Sequence, residues 1–449
     1  MRQPFRLAPL AAVAVLLLAG FVPAQGADNP GKITVEFWDK WSGFEADAMQ
    51  SVVDDFNKAQ DKIFVRRLNV SRIEQKMMLA TAGRVPPDIV NLWASNLTSY
   101  VQNNALLPLD KLAREAGVDE SAYIPMFWQL CHQEGFLWAL PLTPSVTALH
   151  WNKKMFREAG LDPEKPPRTL EELEEFNNIL TKREPDGSLK QVGHLVQEPG
   201  WWMRDMTHLF GGSVWDGGSK LLLGEQPSRD FFAWIATYPQ RFGGDAMNRL
   251  RGAFGNFASP QNPFFQGRVA MIMQGVWMDN FMRQYANPDF EYGVAPFPIA
   301  GAPAEAPVTI ADTDILVIPA GATHPREAME FMAYVQTQPA MEKLCLAQKK
   351  FTPLREVSPD FIRNHPHPYI RTFIDLANSP NARPILALPT LTEYSNDLNN
   401  YVNLLMLGKI TTDEARQTMQ ERQQKALDKK TARWNRAKAK LLAGWRSSL

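Results

Sequence analysis

The stretch from residue 32 to residue 93 constrains the fold more than any other part of the chain. Lys32 to Trp38 alternates apolar and polar side chains, the period of a strand with one buried face. Residues 45–59 place Met49, Val52, Val53 and Phe56 at helical spacing, with Asp47, Asp54, Asp55 and Lys58 on the opposite side. Lys62 to Val70 returns to a strand pattern. Arg72 to Ala82 reads as a second helix stopped by Gly83, and Pro86-Pro87-Asp88 leads into a third strand, Ile89 to Trp93. This β-α-β-α-β succession predicts the start of an open, mostly parallel α/β sheet. Ligands of such sheets sit beyond the carboxyl ends of the strands, which here are Trp38 to Phe44 and Trp93 to Leu97.

The rest of the chain predicts more α/β structure. Leu137 to His150 is apolar and proline-broken, which suits an extended crossing segment better than a helix. Thr169 is placed to cap a helix running to Lys182, with Glu171 and Glu172 in its first turn. Residues 228–240 form another helix, and Gly267 to Met273 and Phe290 to Phe297 read as strands. Val308 to Pro319 is a second crossing and residues 359–368 a third. Helices are expected at Pro325 to Gln336, Leu398 to Leu407 and Thr412 to Lys440.

The 449 residues suffice for two or three domains, and 45% hydrophobic with 21% charged residues is ordinary for a soluble globular protein. Arg2 and Arg6, the apolar run Leu7 to Val22, and the small residues Ala24 and Gly26 predict a secretory signal peptide over residues 1–26. Pro9, Gly20 and Pro23 interrupt that run, which disfavours an uncleaved membrane anchor. The mature chain is therefore expected in a Gram-negative periplasm. An oxidising compartment permits a bridge between Cys131 and Cys345, but sequence leaves their pairing open. Residues 429–449 hold seven basic residues and no acidic one, so the body before this basic helical tail is net acidic. That argues against nucleic acid as a partner. His365-Pro366-His367 has no accompanying carboxylate or cysteine cluster, so no metal or cofactor is expected.

Several ordered motifs carry a resemblance. They are the strand Lys32 to Trp38, the run Ala80 to Val90, Trp151-Asn152-Lys153-Lys154-Met155-Phe156-Arg157-Glu158-Ala159-Gly160-Leu161, and Pro167 to Leu173. Phe265 to Met271 and Gly408-Lys409-Ile410-Thr411-Thr412-Asp413-Glu414-Ala415 complete the order. Together they resemble the extracellular solute-binding proteins of bacterial ABC sugar importers, the family of the maltose-binding protein. The resemblance implies a two-lobed periplasmic-binding-protein fold, each lobe a mostly parallel sheet flanked by helices, with the ligand cleft between them. It places residues 27–143 and 312–362 in the N-terminal lobe and residues 145–308 and 365–428 in the C-terminal lobe. It implies a monomeric receptor, not an enzyme, that closes on a carbohydrate and docks on ABC permease subunits at the inner membrane.

A sugar offers apolar faces and hydroxyl edges, so its site needs aromatic platforms and planar polar side chains. The first-strand loop offers Trp38, Asp39, Lys40, Trp41 and Glu45; the third-strand end offers Trp93 and Asn96. The crossings offer Thr143, Ser145, Asp312, Thr313 and Asp314. Glu198, Trp201, Trp202, Trp277 and Asp279 come from the second lobe, with Tyr394 and Asn396 near a later helix start. Ser395 stands where the maltose-binding protein has a stacking tryptophan, so maltodextrin specificity is not carried over. Two readings keep the fold and change the solute: a polyol phosphate, which would want cleft arginines, or a polyamine, which would want acidic and aromatic groups. A third is an exported glycosidase with two carboxylates across a bond.

Overall fold

A computed structural model describes residues 31–301 and 305–446. The expected signal peptide, residues 1–26, lies outside the described residues. One large sheet organises the chain, and its strands are numbered β1 to β8: Ile33–Asp39, Ile63–Asn69, Ile89–Trp93, Ala139–Asn152, Met271–Gly275, Tyr292–Ala295, Thr309–Val317 and Ala382–Pro384. Their order is β6-β4-β7-β3-β1-β2, with β5 also paired to β4 and β8 to β7.

The β1-α-β2-α-β3 start forms with helices at Gly43–Ala59 and Ile73–Ala82, and β1 pairs in parallel with both β2 and β3. Met49, Val52, Val53 and Phe56 make the buried stripe of the first helix, as their spacing demands. The Thr169 hydroxyl accepts from the Glu172 N–H, capping the helix Leu170–Leu180.

Two crossing segments become long strands that run through both lobes. Near its start β4 pairs with the end of β7, Ala139 opposite Val317. Its later half, Thr147 to Asn152, runs antiparallel to β5 and β6. The register between β7 and β4 shifts between Thr313 and Ile315. A ladder irregularity there bends the strands where they leave one lobe for the other.

Two large apolar cores flank this bend. One gathers Val35, Phe37, Val90, Leu140 and Leu316 with Phe331 and Met341. The other gathers Trp151, Phe156, Phe232, Met271 and Ile310 with Leu398 and Met419. A smaller cluster gathers Phe127, Phe351 and Phe373 with Val146 of β4 and Ala311 of β7.

The basic tail continues one helix, Thr412–Arg446. Its first half buries Ala415, Met419 and Leu427 in the second core, whereas Trp434 and Trp445 join the first. The Trp445 ring lies edge-on to Trp138 at 4.6 Å and stacks on Trp434 at 6.0 Å. The tryptophans thus make this basic helix a strap across both cores. Cys131 and Cys345 are both buried free thiols.

Candidate functional site

A cavity of about 580 Å³ lies at the bend, bordered by the loop after β1, the end of β3, both crossing strands and the second lobe. That volume suits a small-molecule ligand. Ten of the residues singled out from sequence line it: Lys40, Trp41, Glu45, Trp93, Ser145, Trp201, Trp277, Asp312, Thr313 and Asp314. Lys350, Phe44, Phe257, Phe281 and Tyr285 join them.

The floor is a paired charge network. Lys40 forms an ion pair with Asp314 and donates to the Leu92 carbonyl and Asn91 Oδ1, each at 3.3 Å. Lys350 Nζ lies 2.9 Å from Glu45 Oε1 and 3.5 Å from Asp314 Oδ2. The Thr143 hydroxyl donates to Asp314 at 2.9 Å. Burial acts to raise the Asp314 carboxyl, but the Lys40 and Lys350 ammoniums outweigh it and hold it below the usual carboxylate range. Burial likewise disfavours the Lys350 charge, yet Glu45 and Asp314 push its pKa up. Both cations are thus committed to carboxylates.

Asp312 differs. The residue is 5% exposed, and its Oδ1 accepts from the Thr313 N–H at 2.8 Å. Among the described residues no cation lies within ion-pair distance of it. Burial, reinforced by the Asp314 charge, pushes its carboxyl up to about 7.

The walls are aromatic. Lys40 lies 4.4 Å from the Trp93 ring centre, and Lys350 lies 5.4 Å from that of Trp41. Across the cleft, Trp277 touches Trp201 at 6.4 Å and Phe257 at 6.2 Å. Gly275 lets the Trp277 ring fold over the end of β5, since a Cβ there would meet the ring at 2.2 Å. Phe44 meets Phe281 edge-on at 6.1 Å, joining the loop after β1 to the helix Met278–Tyr285.

The other nine candidates lie outside the cavity; of these, Thr143 braces Asp314 from beneath, and Asn396 is exposed on the helix Leu391–Met406. Asp39 is buried, accepting from the Trp41 N–H at 3.1 Å and the Asn91 amide at 2.8 Å, so it shapes the loop that carries Lys40 and Trp41. Trp38, on the opposite side of β1, is half-buried against the first core. Asn96 borders a separate groove with Leu391 and Glu393. Glu198 accepts from the Met273 N–H at 2.7 Å and from Trp202 Nε1 at 3.1 Å, fixing Trp202 behind the aromatic wall. Asp279 is buried, tied to Arg283 at 2.7 Å, Lys349 at 3.2 Å and the Tyr292 hydroxyl at 2.8 Å. Tyr394 is buried in the second core. Lys350, Phe257 and Phe281 carry no local sequence signal, because what makes them cleft residues is the packing of distant segments.

Residues 44–342 match the bacterial extracellular solute-binding proteins. The chain belongs to this family. A curated relative, the sn-glycerol-3-phosphate-binding periplasmic protein UgpB of Salmonella typhimurium, is 26% identical over 295 residues, covering 61% of this chain and 64% of the relative. UgpB of Pectobacterium atrosepticum is 24% identical over 279 residues, covering 59% and 60%. The chain thus spans less than two thirds of the length of these relatives. Among solved structures, CpMnBP1 with mannotriose bound superposes with a TM-score of 0.77 at 26% identity, over 87% of this chain and 99% of that one. UgpB from Mycobacterium tuberculosis in complex with glycerophosphocholine superposes with a TM-score of 0.74 at 20% identity, over 89% and 99%, which shows the shared fold. This solute-binding protein therefore has the two-lobed architecture of periplasmic binding proteins. The relatives named are binding proteins, and the curated ones are periplasmic. Among the described residues no helix is long and apolar enough to cross a membrane, and no group of His, Cys, Asp and Glu could hold a metal.

Proposed function

We propose that this chain is the periplasmic receptor of an ABC importer, that it binds a neutral carbohydrate in the cleft between its lobes, and that it passes the sugar to membrane permease subunits. The carrying observation is the combination of an aromatic wall with lysines already neutralised by Asp314 and Glu45. Aromatic faces suit the C–H surfaces of a sugar ring, and cleft carboxylates accept from its hydroxyls. A phosphate ester, the ligand in the names of the curated relatives, would have to compete with Asp314 and Glu45 for those lysines. The residue sets 27–143 with 312–362 and 145–308 with 365–428 are proposed as the bodies that close on the ligand, supported by the two separate cores. The receptor is proposed to act as a monomer, without cofactor or catalysis.

A thermal-shift and calorimetric comparison tests this. The mature protein is titrated with mannobiose, mannotriose, maltose, sn-glycerol-3-phosphate, glycerophosphocholine and spermidine. A ligand at a hundred times its Kd adds about 2.7 kcal/mol to stability. A response to a neutral saccharide, without cleavage products on long incubation, supports the reading. A response confined to the phosphate esters or to spermidine refutes the carbohydrate assignment, and product formation refutes the receptor role.

A further inference from the structure

We infer that Asp312 is the specificity-determining residue of the cleft, the group by which it accepts polyhydroxylated neutral solutes and rejects phosphate esters. This rests on the carbohydrate reading and assigns its selectivity to one side chain.

Asp312 and Asp314 belong to the same crossing strand, β7, and both line the cavity. Their surroundings divide two tasks. Asp314 receives Lys40, Lys350 and the Thr143 hydroxyl, so its acceptor capacity is spent inside the protein. Asp312 faces Ser145 of β4 across the ladder and receives the Thr313 N–H on one oxygen. No other hydrogen bond or ion pair of its carboxyl occurs among the described residues. Arg204, a nearby cation, is engaged with Asp205 at 3.2 Å and lies 5.1 Å from the Trp201 ring centre.

A carboxyl buried beside another carboxylate without a cation is unfavourable in the empty protein. A ligand with adjacent hydroxyls supplies the missing donors, and such charge-assisted bonds strengthen where water is excluded. A phosphate ester does the reverse. It brings like charge toward Asp312 and finds both cavity-lining lysines paired.

The test measures affinities of wild type, Asp312→Asn, Asp312→Ser and, as the control, Asp360→Asn by calorimetry at about pH 8, where Asp312 is ionised. The probes are mannobiose, maltose and sn-glycerol-3-phosphate. Wild type is expected to prefer a neutral disaccharide by roughly a hundredfold or more. Both Asp312 variants should lose roughly tenfold in disaccharide affinity and narrow the preference by at least that factor. Asp360→Asn removes an exposed carboxylate of the helix Pro359–Arg363, outside the cavity, so it should leave the preference intact. A cooperative melt of either Asp312 variant establishes folding. An unchanged preference in both Asp312 variants overturns this inference while leaving the carbohydrate reading standing. A wild type that prefers sn-glycerol-3-phosphate overturns both.

Discussion

Replacing Asp312 by Asn should stabilise the empty protein while impairing it as a receptor. Asp312 is 5% exposed, and its carboxyl is pushed up to about 7 by burial and by Asp314, against an ordinary value of 3.8. The folded state therefore holds its proton to near neutrality, whereas the unfolded chain releases it near pH 4. Across that window the unfolded state binds fewer protons, so wild-type stability falls as pH rises. A shift of about three units at roughly 1.4 kcal/mol each bounds the loss at about 4 kcal/mol. Relaxation and water in the cleft reduce this, and a gain of about 2 kcal/mol is expected for Asp312→Asn at about pH 8. Asp314 opposes ionisation of Asp312, while Arg204 and Lys40 favour it. Urea unfolding of both proteins at about pH 4, 6 and 8 measures the effect. The advantage of the variant should be near zero at the lowest pH and grow through the window. A variant less stable at about pH 8, or an advantage independent of pH, would refute the reasoning.

Three further outcomes follow from the packing. Lys350→Met leaves Glu45 and Asp314 without their shared cation and should cost about 3 kcal/mol in urea unfolding, the size expected for breaking a buried pair. A neutral effect would mean that water already screens the network. Trp445→Ala empties the site against Trp138 and Phe136 and should lower stability by about 3 kcal/mol, with a fall in the melting temperature. An unchanged melting temperature would show that the strap is undocked in solution. Cys131 and Cys345 are buried free thiols, so a thiol reagent should find neither in the native protein and both after denaturation without reductant. Failure of both to react in denaturant would indicate a disulfide.

Local pattern was enough to read the opening β-α-β-α-β unit, the two crossing strands and the Thr169 cap. Each depends on side-chain period or on groups within a few residues, and these are written consecutively in the chain. It also pointed to Trp41, Trp93, Trp277 and the Asp312–Asp314 segment, because strand ends and crossings are where an open sheet leaves room for a ligand. The pattern does not say which side of a strand end faces the cleft. Trp38 and Asp39 stand beside Trp41 in sequence, yet one packs on the first core and the other braces the loop from beneath. Glu198 and Asp279 are polar candidates whose partners, Met273 and Lys349, lie about seventy residues away, and those partners hold them out of the cavity. Lys350 becomes part of the floor because Glu45 and Asp314 meet it there. The tail reads as a basic helix, but two tryptophans about three turns apart on one helix face find Trp138 and Glu134 against the first core. Periodicity specifies that a face must be buried; the tertiary fold chooses what buries it, and that choice paired Lys40, Lys350, Glu45 and Asp314 in the cleft and left Asp312 beside them without a cation at ion-pair distance among the described residues.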